Sequence, residues 1–331
     1  MLKMRRFLIS IALAFFAVCG NPRLAYAQTG AVLGIHILNP SEAQVASELL
    51  KVNESEQWHY VTIPLTVNDL NKQVEWQAFM NYAKSARLIP IVRLGTTYQN
   101  NAWVVPTKKN ITDLVGFLSA LEWPTEERYI IVFNEVNHAK EWGGRVDPVE
   151  YADTLRFTSN WARSEGKNYQ ILPAAMDLAA PNGSVTREAF AYLDQMRQED
   201  PEIWGAIDVW NSHSYPNPGF TGSAWDSGKM SIKGYQLELA YIKEMTGRDL
   251  KTFITETGWL ETGRTRGRLV DYYTFAAEHV WGADDRVVAV TPFVLAGAPG
   301  PFGQFSFLDQ ARRPTQQYFA YQVALKKLGG R

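Results

Sequence analysis

Eight short apolar runs, each followed by a stretch with helical periodicity, predict an α/β fold whose parallel strands close on themselves: a single (β/α)8 TIM barrel. The runs start 27 to 45 residues apart, which leaves room for one helix and its turns in every unit. An open dinucleotide-binding sheet would place GxGxxG after its first strand, and Ile37-Leu-Asn-Pro-Ser41 does not resemble it.

The elements follow in order. AVLGIHIL (31–38) is the first strand, and Asn39-Pro-Ser41 starts a helix over Ser41–Val52. WHYVTIPL (58–65) leads through Asn68-Asp69 into Leu70–Ala86, and LIPIVRL (88–94) into Ile111–Leu121, with Asn110-Ile-Thr112 as start signal. YIIVFNEV (129–136) precedes Pro148–Glu165, and YQILPAAM (169–176) precedes Val185–Arg197. AIDVWNSHSY (206–215), KTFITETGW (251–259) and VVAVTPFVLA (287–296) are followed by Ser231–Thr246, Arg268–Trp281 and Pro314–Leu328. The long connections 96–110, 216–230 and 297–313 all follow strands, so they lie on the C-terminal rim, where barrel enzymes keep their active sites. They carry Tyr98, Trp103, Phe220, Trp225, Phe302, Phe305 and Phe307.

MLKMRR, the apolar run after it and AYA at 25–27 have the form of a cleavable signal peptide over residues 1–27, too short in its apolar part to span a bilayer. The expectation is a secreted or periplasmic protein with no membrane association after leader cleavage, and one catalytic domain over 28–331. Cys19, the sole cysteine, lies in the leader, where lipid attachment is the alternative, so the mature chain relies on its core rather than on disulfides. Removing Lys3, Arg5, Arg6 and Arg23 from the 33 basic residues leaves 29 against 34 acidic ones, a net −5 that argues against nucleic acid as a partner.

An Asn-Glu pair by itself means little, and Asn53-Glu54 is a second one in this chain. Position gives Asn134-Glu135 its weight, because it ends the fourth apolar run, and a polar residue at the C-terminal end of a barrel strand points to rim chemistry. The seventh run repeats the arrangement with Thr255-Glu256-Thr257-Gly258-Trp259. Two such carboxylates suffice for glycoside hydrolysis: one gives a proton to the leaving oxygen, and the other attacks or activates water. Eight strands ~4.8 Å apart and tilted ~36° close a ring of radius roughly 7.5 Å, so two inward glutamates three strands apart leave a gap of ~6 Å.

Asn-Glu ending strand four and Glu ending strand seven resemble the clan A glycoside hydrolases, retaining (β/α)8-barrel enzymes. The resemblance implies Glu135 as general acid/base, Glu256 as nucleophile and Asn134 as partner of the sugar 2-hydroxyl. Asn211-Ser-His-Ser-Tyr215 is similar to the His-x-Tyr element that steadies the nucleophile in several of these families, which implies roles for His213 and Tyr215. Arg93, at the end of strand three, is placed to orient a carboxylate, although the comparable arginine in related families usually comes from strand two. Where many clan A enzymes present a Trp on strand eight this chain has Phe293, so Phe293 or Trp259 is expected beneath the sugar, with Trp142 as a further sugar contact and Trp210 in the core.

His36, His59, His138, His213 and His279 show no HxH or HExxH spacing, so neither metal nor organic cofactor is expected, although His36 and His138 fall near strand ends. A phosphate-binding barrel would want Gly-rich turns after strands seven and eight, and the Gly297–Gly303 stretch has no clear helix start after it. The function expected is hydrolysis of an extracellular poly- or oligosaccharide, with β-glucan implied by the resemblance of Asn-Glu-Val and Thr-Glu-Thr-Gly-Trp to motifs of β-glucan-cleaving families. The alternatives are a catalytically inactive secreted glycan-binding barrel and a transglycosylase, the latter using the same covalent route.

Overall fold

The structure, a computed structural model, describes residues 32–51 and 57–329. The leader with Cys19, and Asn53-Glu54, lie outside the described residues. No described helix is long and apolar enough to cross a membrane.

Eight strand positions make the barrel: β1 (Val32–Leu33 and Ile35–His36), β2 (His59–Thr66), β3 (Leu88–Gly95), β4 (Arg128–Val132), β5 (Tyr169–Pro173), β6 (Trp210–Ser212), β7 (Thr252–Ile254) and β8 (Val287–Val290). All neighbours among them are parallel, in the orders β1-β2-β3-β4-β5 and β1-β8-β7-β6. β1 serves both ladders, its first half against β8 and its second against β2. Gly34 makes the switch between them, and no other residue fits there, since a Cβ would lie 2.0 Å from the carbonyl oxygen of Tyr60. The ring closes between β5 and β6 through Asp208 N–H to Ile171 O, the Asn211 amide to Pro173 O and a parallel bridge between Asp177 and His213.

Helices α1 (Ala43–Leu50), α2 (Gln73–Ala86), α3 (Lys108–Ser119), α4 (Pro148–Ser164), α5 (Ala189–Glu199), α6 (Gly234–Thr246), α7 (Leu269–Phe275, running on as a π-helix over Ala276–Trp281) and α8 (Gln316–Gly329) cover the outside. Local chemistry sets their ends. Thr107 caps α3 with Asn110 bonding back in a capping box, so the Asn expected to open this helix is its third residue. Asp147 accepts from Glu150 N–H ahead of Pro148, and Gly247 ends α6 in the left-handed region.

Strand alternation sorts the side chains into two layers. Val61, Ile63 and Leu65 of β2, and Val92 and Leu94 of β3, point outward into the large core under the helices. Tyr60, Ile91, Tyr129, Ile131, Leu172, Phe253 and Ala289 point inward and plug the barrel's lower half. Above this plug the interior turns polar: Thr62 Oγ1 lies 2.7 Å from Thr291 Oγ1, which donates to Thr255 O, while Thr255 Oγ1 donates to the Asn211 side chain. Arg93, two residues beyond Ile91 on the inward face of β3, therefore belongs to the layer that borders the rim.

Candidate active site

β4 leaves the ladder at Val132, so Glu135 stands three residues beyond the strand rather than within it. Phe133 and Glu135 adopt positive φ, +69° and +32°, a region that costs non-glycine residues energy and recurs where function demands a particular side-chain direction. Tyr151 of α4 holds the departure point, its hydroxyl donating to Val132 O at 3.0 Å and accepting from Ala174 N–H at 2.6 Å. Asn137, fully buried, ties the loop to the end of β5 by bonds to the carbonyls of Asp177 and Arg187 and from the N–H of Asp177.

Glu256 follows β7 by two residues and is 8% exposed. Arg93 Nη1 donates to Glu256 Oε1 at 2.5 Å and to Asn134 Oδ1 at 2.8 Å, which fixes the orientation of the Asn134 amide. The Tyr215 hydroxyl donates to Glu256 Oε2 at 3.2 Å. His213 Nδ1 lies 2.9 Å from Glu135 Oε1 and 3.8 Å from Glu256 Oε2, so this imidazole stands between both carboxylates rather than at Glu256 alone. One oxygen of Glu135, one of Glu256 and a nitrogen of His213 all lie within 4.8 Å of one another. The two carboxylates thus come nearer than the ~6 Å gap reckoned from strand geometry.

Burial by itself pushes the Glu256 carboxyl up, but the charges of His213 and then Arg93 outweigh it and hold the group well below the usual carboxylate range. Burial keeps His36 at about 3, so that imidazole is neutral at pH 7 and Arg93 is the permanent part of the pull. For His213, burial acts downward and is overcome by the charge of Glu256 and the contact with Glu135, which raise its pKa above the ordinary imidazole value. Glu135, His213 and Glu256 form the group of described residues that could hold a metal ion. Arg93 already brings a fixed positive charge to 2.5 Å from Glu256, the place a cation would need.

Glu135, Glu256, Asn134, Arg93, His213 and Tyr215 thus meet in one site. Phe293 borders it, edge-on to His36 at 5.1 Å between ring centres, but is 7% exposed beneath Phe302 and Phe305. Trp142 and Trp259, expected against sugar, are core residues instead. Trp142 is 1% exposed, wedged between Phe133 and Tyr151, with its indole N–H on Glu150. Trp259 is fully buried against Tyr272 and Tyr273, with its N–H on Gly222 O. Each satisfies its one polar atom internally, which leaves no face for a ligand. Trp210 is core, as expected.

Three further groups belong to the neighbourhood. His36 Nδ1, 3.3 Å from Thr255 O, approaches Glu256 Oε1 to 3.7 Å. Glu141 Oε2 accepts from Asn134 Nδ2 at 3.4 Å, and burial, then the charge of Glu135, pushes its carboxyl up. His138 Nε2 pairs with Asp177 Oδ2 at 2.8 Å. The rule that singled out Glu135, a polar residue following an apolar run, applies equally to His36 and would have found it. Glu141 has no such signal, since it reaches Asn134 only through the path of its loop.

A closed parallel barrel with two carboxylates at the ends of its fourth and seventh strands is the class that fold and geometry define. Solved structures share that fold. The chain is similar to a glucosidase from Croceicoccus marinus (10% identity, TM-score 0.62, 91% of this chain and 68% of that one). It is similar also to an endo-β-1,4-glucanase from Xanthomonas axonopodis pv. citri (13%, 0.56, 90% and 99%) and to the mannotriose complex of a β-mannanase from Thermomonospora fusca (14%, 0.54, 90% and 91%). Identities this low establish the fold. No family model matches the chain, and no curated protein matches it.

Proposed function

We propose that the protein is a retaining glycoside hydrolase acting on O-glycosidic bonds of an extracellular poly- or oligosaccharide, a β-glucan before others. The observation that carries this reading is that an oxygen of Glu135 and one of Glu256 lie within 4.8 Å of each other, on the short side of the ~6.5 to 9.5 Å that inverting enzymes keep open for a water. Their surroundings divide the roles. Glu256, held ionised by His213 and Arg93, attacks the anomeric carbon, while Glu135, whose side chain is 19% exposed, gives its proton to the departing oxygen. Glu135, now a carboxylate, then takes a proton from water as that water attacks the anomeric carbon and Glu256 leaves. Asn134, oriented by Arg93 and Glu141, offers its amide to the sugar hydroxyl beside the reacting carbon. Phe293 supports this site from below through His36.

Structures of the same fold include an endoglucanase, a β-mannanase and a glucosidase, which supports the substrate class. Purified protein incubated with β-glucans, mannans, xylans and galactans, with product anomers followed by NMR, tests the reading. Release of the β-anomer first from a β-linked substrate is expected. Initial release of the α-anomer, or no cleavage of any of the four, contradicts it.

A further inference from the structure

The connection after β3 is built in a way the catalytic groups do not require. Tyr98–Gln99 and Ala102–Trp103 pair antiparallel around Asn100-Asn101, both at positive φ (+52° and +62°), which is the backbone of a tight two-residue hairpin turn. Tyr98 and Trp103 face each other across it, edge to face at 5.7 Å between ring centres. Tyr98 is 56% exposed and Trp103 half-buried, so these rings contribute little to the core.

The hairpin is fastened to the loop that carries the acid/base. Gly143 N–H donates to Trp103 O at 2.8 Å, with Gly143 at φ +64° and so close that a Cβ would lie 2.7 Å from Val105. Its base is closed by Val104 N–H to Thr97 O and by Thr96 Oγ1 to Val104 O. Gly143 is two residues from Glu141, which touches Asn134, so at ~3.8 Å per residue the hairpin backbone begins within roughly 10 to 12 Å of Glu141. A chain of several sugar units bound at the cleavage point spans that distance.

Resting on the glycosidase reading above, we infer that Tyr98 and Trp103 form a platform for sugar units remote from the cleaved bond, on the β3–β4 side of the rim. The substrate is accordingly an extended β-linked chain rather than a disaccharide. Flat rings with one wet edge suit the apolar C–H face of a pyranose, and a hairpin clamped at base and side holds them without ordering on binding.

Cross-strand aromatic pairs also steady hairpins, so the test must separate binding from structure. In the full chain carrying Glu256→Gln, affinities for β-1,4-linked gluco-, manno- and xylo-oligosaccharides of two to six units are measured by calorimetry, with and without Tyr98→Ala or Trp103→Ala. The expected result is tighter binding of the hexasaccharide than of the disaccharide by about tenfold, lost in both alanine variants while disaccharide affinity stays unchanged. A hexasaccharide advantage that survives both substitutions, or equal weakening at every length, overturns the inference. Failure of the parent to bind any oligosaccharide, together with no polysaccharide cleavage by the unsubstituted protein, instead removes the glycosidase reading and this inference with it.

Discussion

Arg93 links the two sides of the site, because one guanidinium nitrogen holds both the Glu256 carboxylate and the Asn134 amide. Replacing it with Met removes the permanent charge that depresses Glu256. In the proposed mechanism Glu256 must be ionised to attack, so activity should be lost as pH falls through its pKa. The acid limb of the kcat/KM profile should therefore move to higher pH, with kcat lower by on the order of 100-fold. Arg93→Lys keeps the charge but not the planar donor, so it should restore the limb more fully than the rate. An unmoved limb in Arg93→Met would deny Arg93 this role. At this scale much of the site was legible: Glu135, Asn134, Glu256 and Tyr215 stand where apolar runs stop, and that boundary can be read in one dimension. Trp142 and Trp259 were misjudged because a ring after a strand looks the same in sequence whether its loop folds back over it or not.

At the scale of elements, β4 shows how a strand delivers Glu135 to the candidate site. It ends early, two backbone positive-φ residues redirect the chain, and Tyr151 stands in for the ladder partners that β4 and β5 then lack. Tyr151→Phe leaves the Val132 carbonyl and the Ala174 N–H buried without this partner, at a cost of about 2 to 4 kcal/mol. Denaturant unfolding should show that loss, and activity at a temperature where the variant is still folded should fall as Glu135 loses its fixed position. Full activity with unchanged stability would mean that the hydroxyl is dispensable. The apolar run YIIVFNEV gave no hint of this early exit, because Phe133 continues the apolar pattern after the ladder has stopped. Conversely, the starts of the eight strands and the bounds of the helices were legible to within about four residues, since each carries its own periodicity and several carry caps, whereas the ladders of β7 and β8 stop five and six residues before the expected ends at 259 and 296.

For the whole molecule, closure of the ring is what lets the residues after β4 and β7 meet, and the count of eight apolar runs makes that readable in the sequence. What the count could not supply is the chemistry packed behind the sheet. Glu238 of α6 is fully buried, accepts from Ser212 Oγ, and is pushed up to about 7 by burial, against the weaker pull of Ser212, Trp210 and His213. Its folded pKa exceeds the unfolded value near 4.3, so the folded barrel is most favoured below that value. Stability then falls as pH rises to about 7, by roughly 3 kcal/mol in total. Glu238→Gln should abolish this fall, which unfolding curves at pH 4.5 and pH 8 would reveal; an identical pH dependence in the variant would contradict it.

The central claim is that Glu256 forms a covalent bond to the sugar. With an activated 2-deoxy-2-fluoro glycoside of whichever sugar the cleavage panel selects, the leaving group departs quickly and the second step is slow. Peptide mass spectrometry of the trapped protein should locate one fluoroglycosyl adduct on Glu256. An adduct on any other residue, or steady hydrolysis with no adduct at all, would contradict the account.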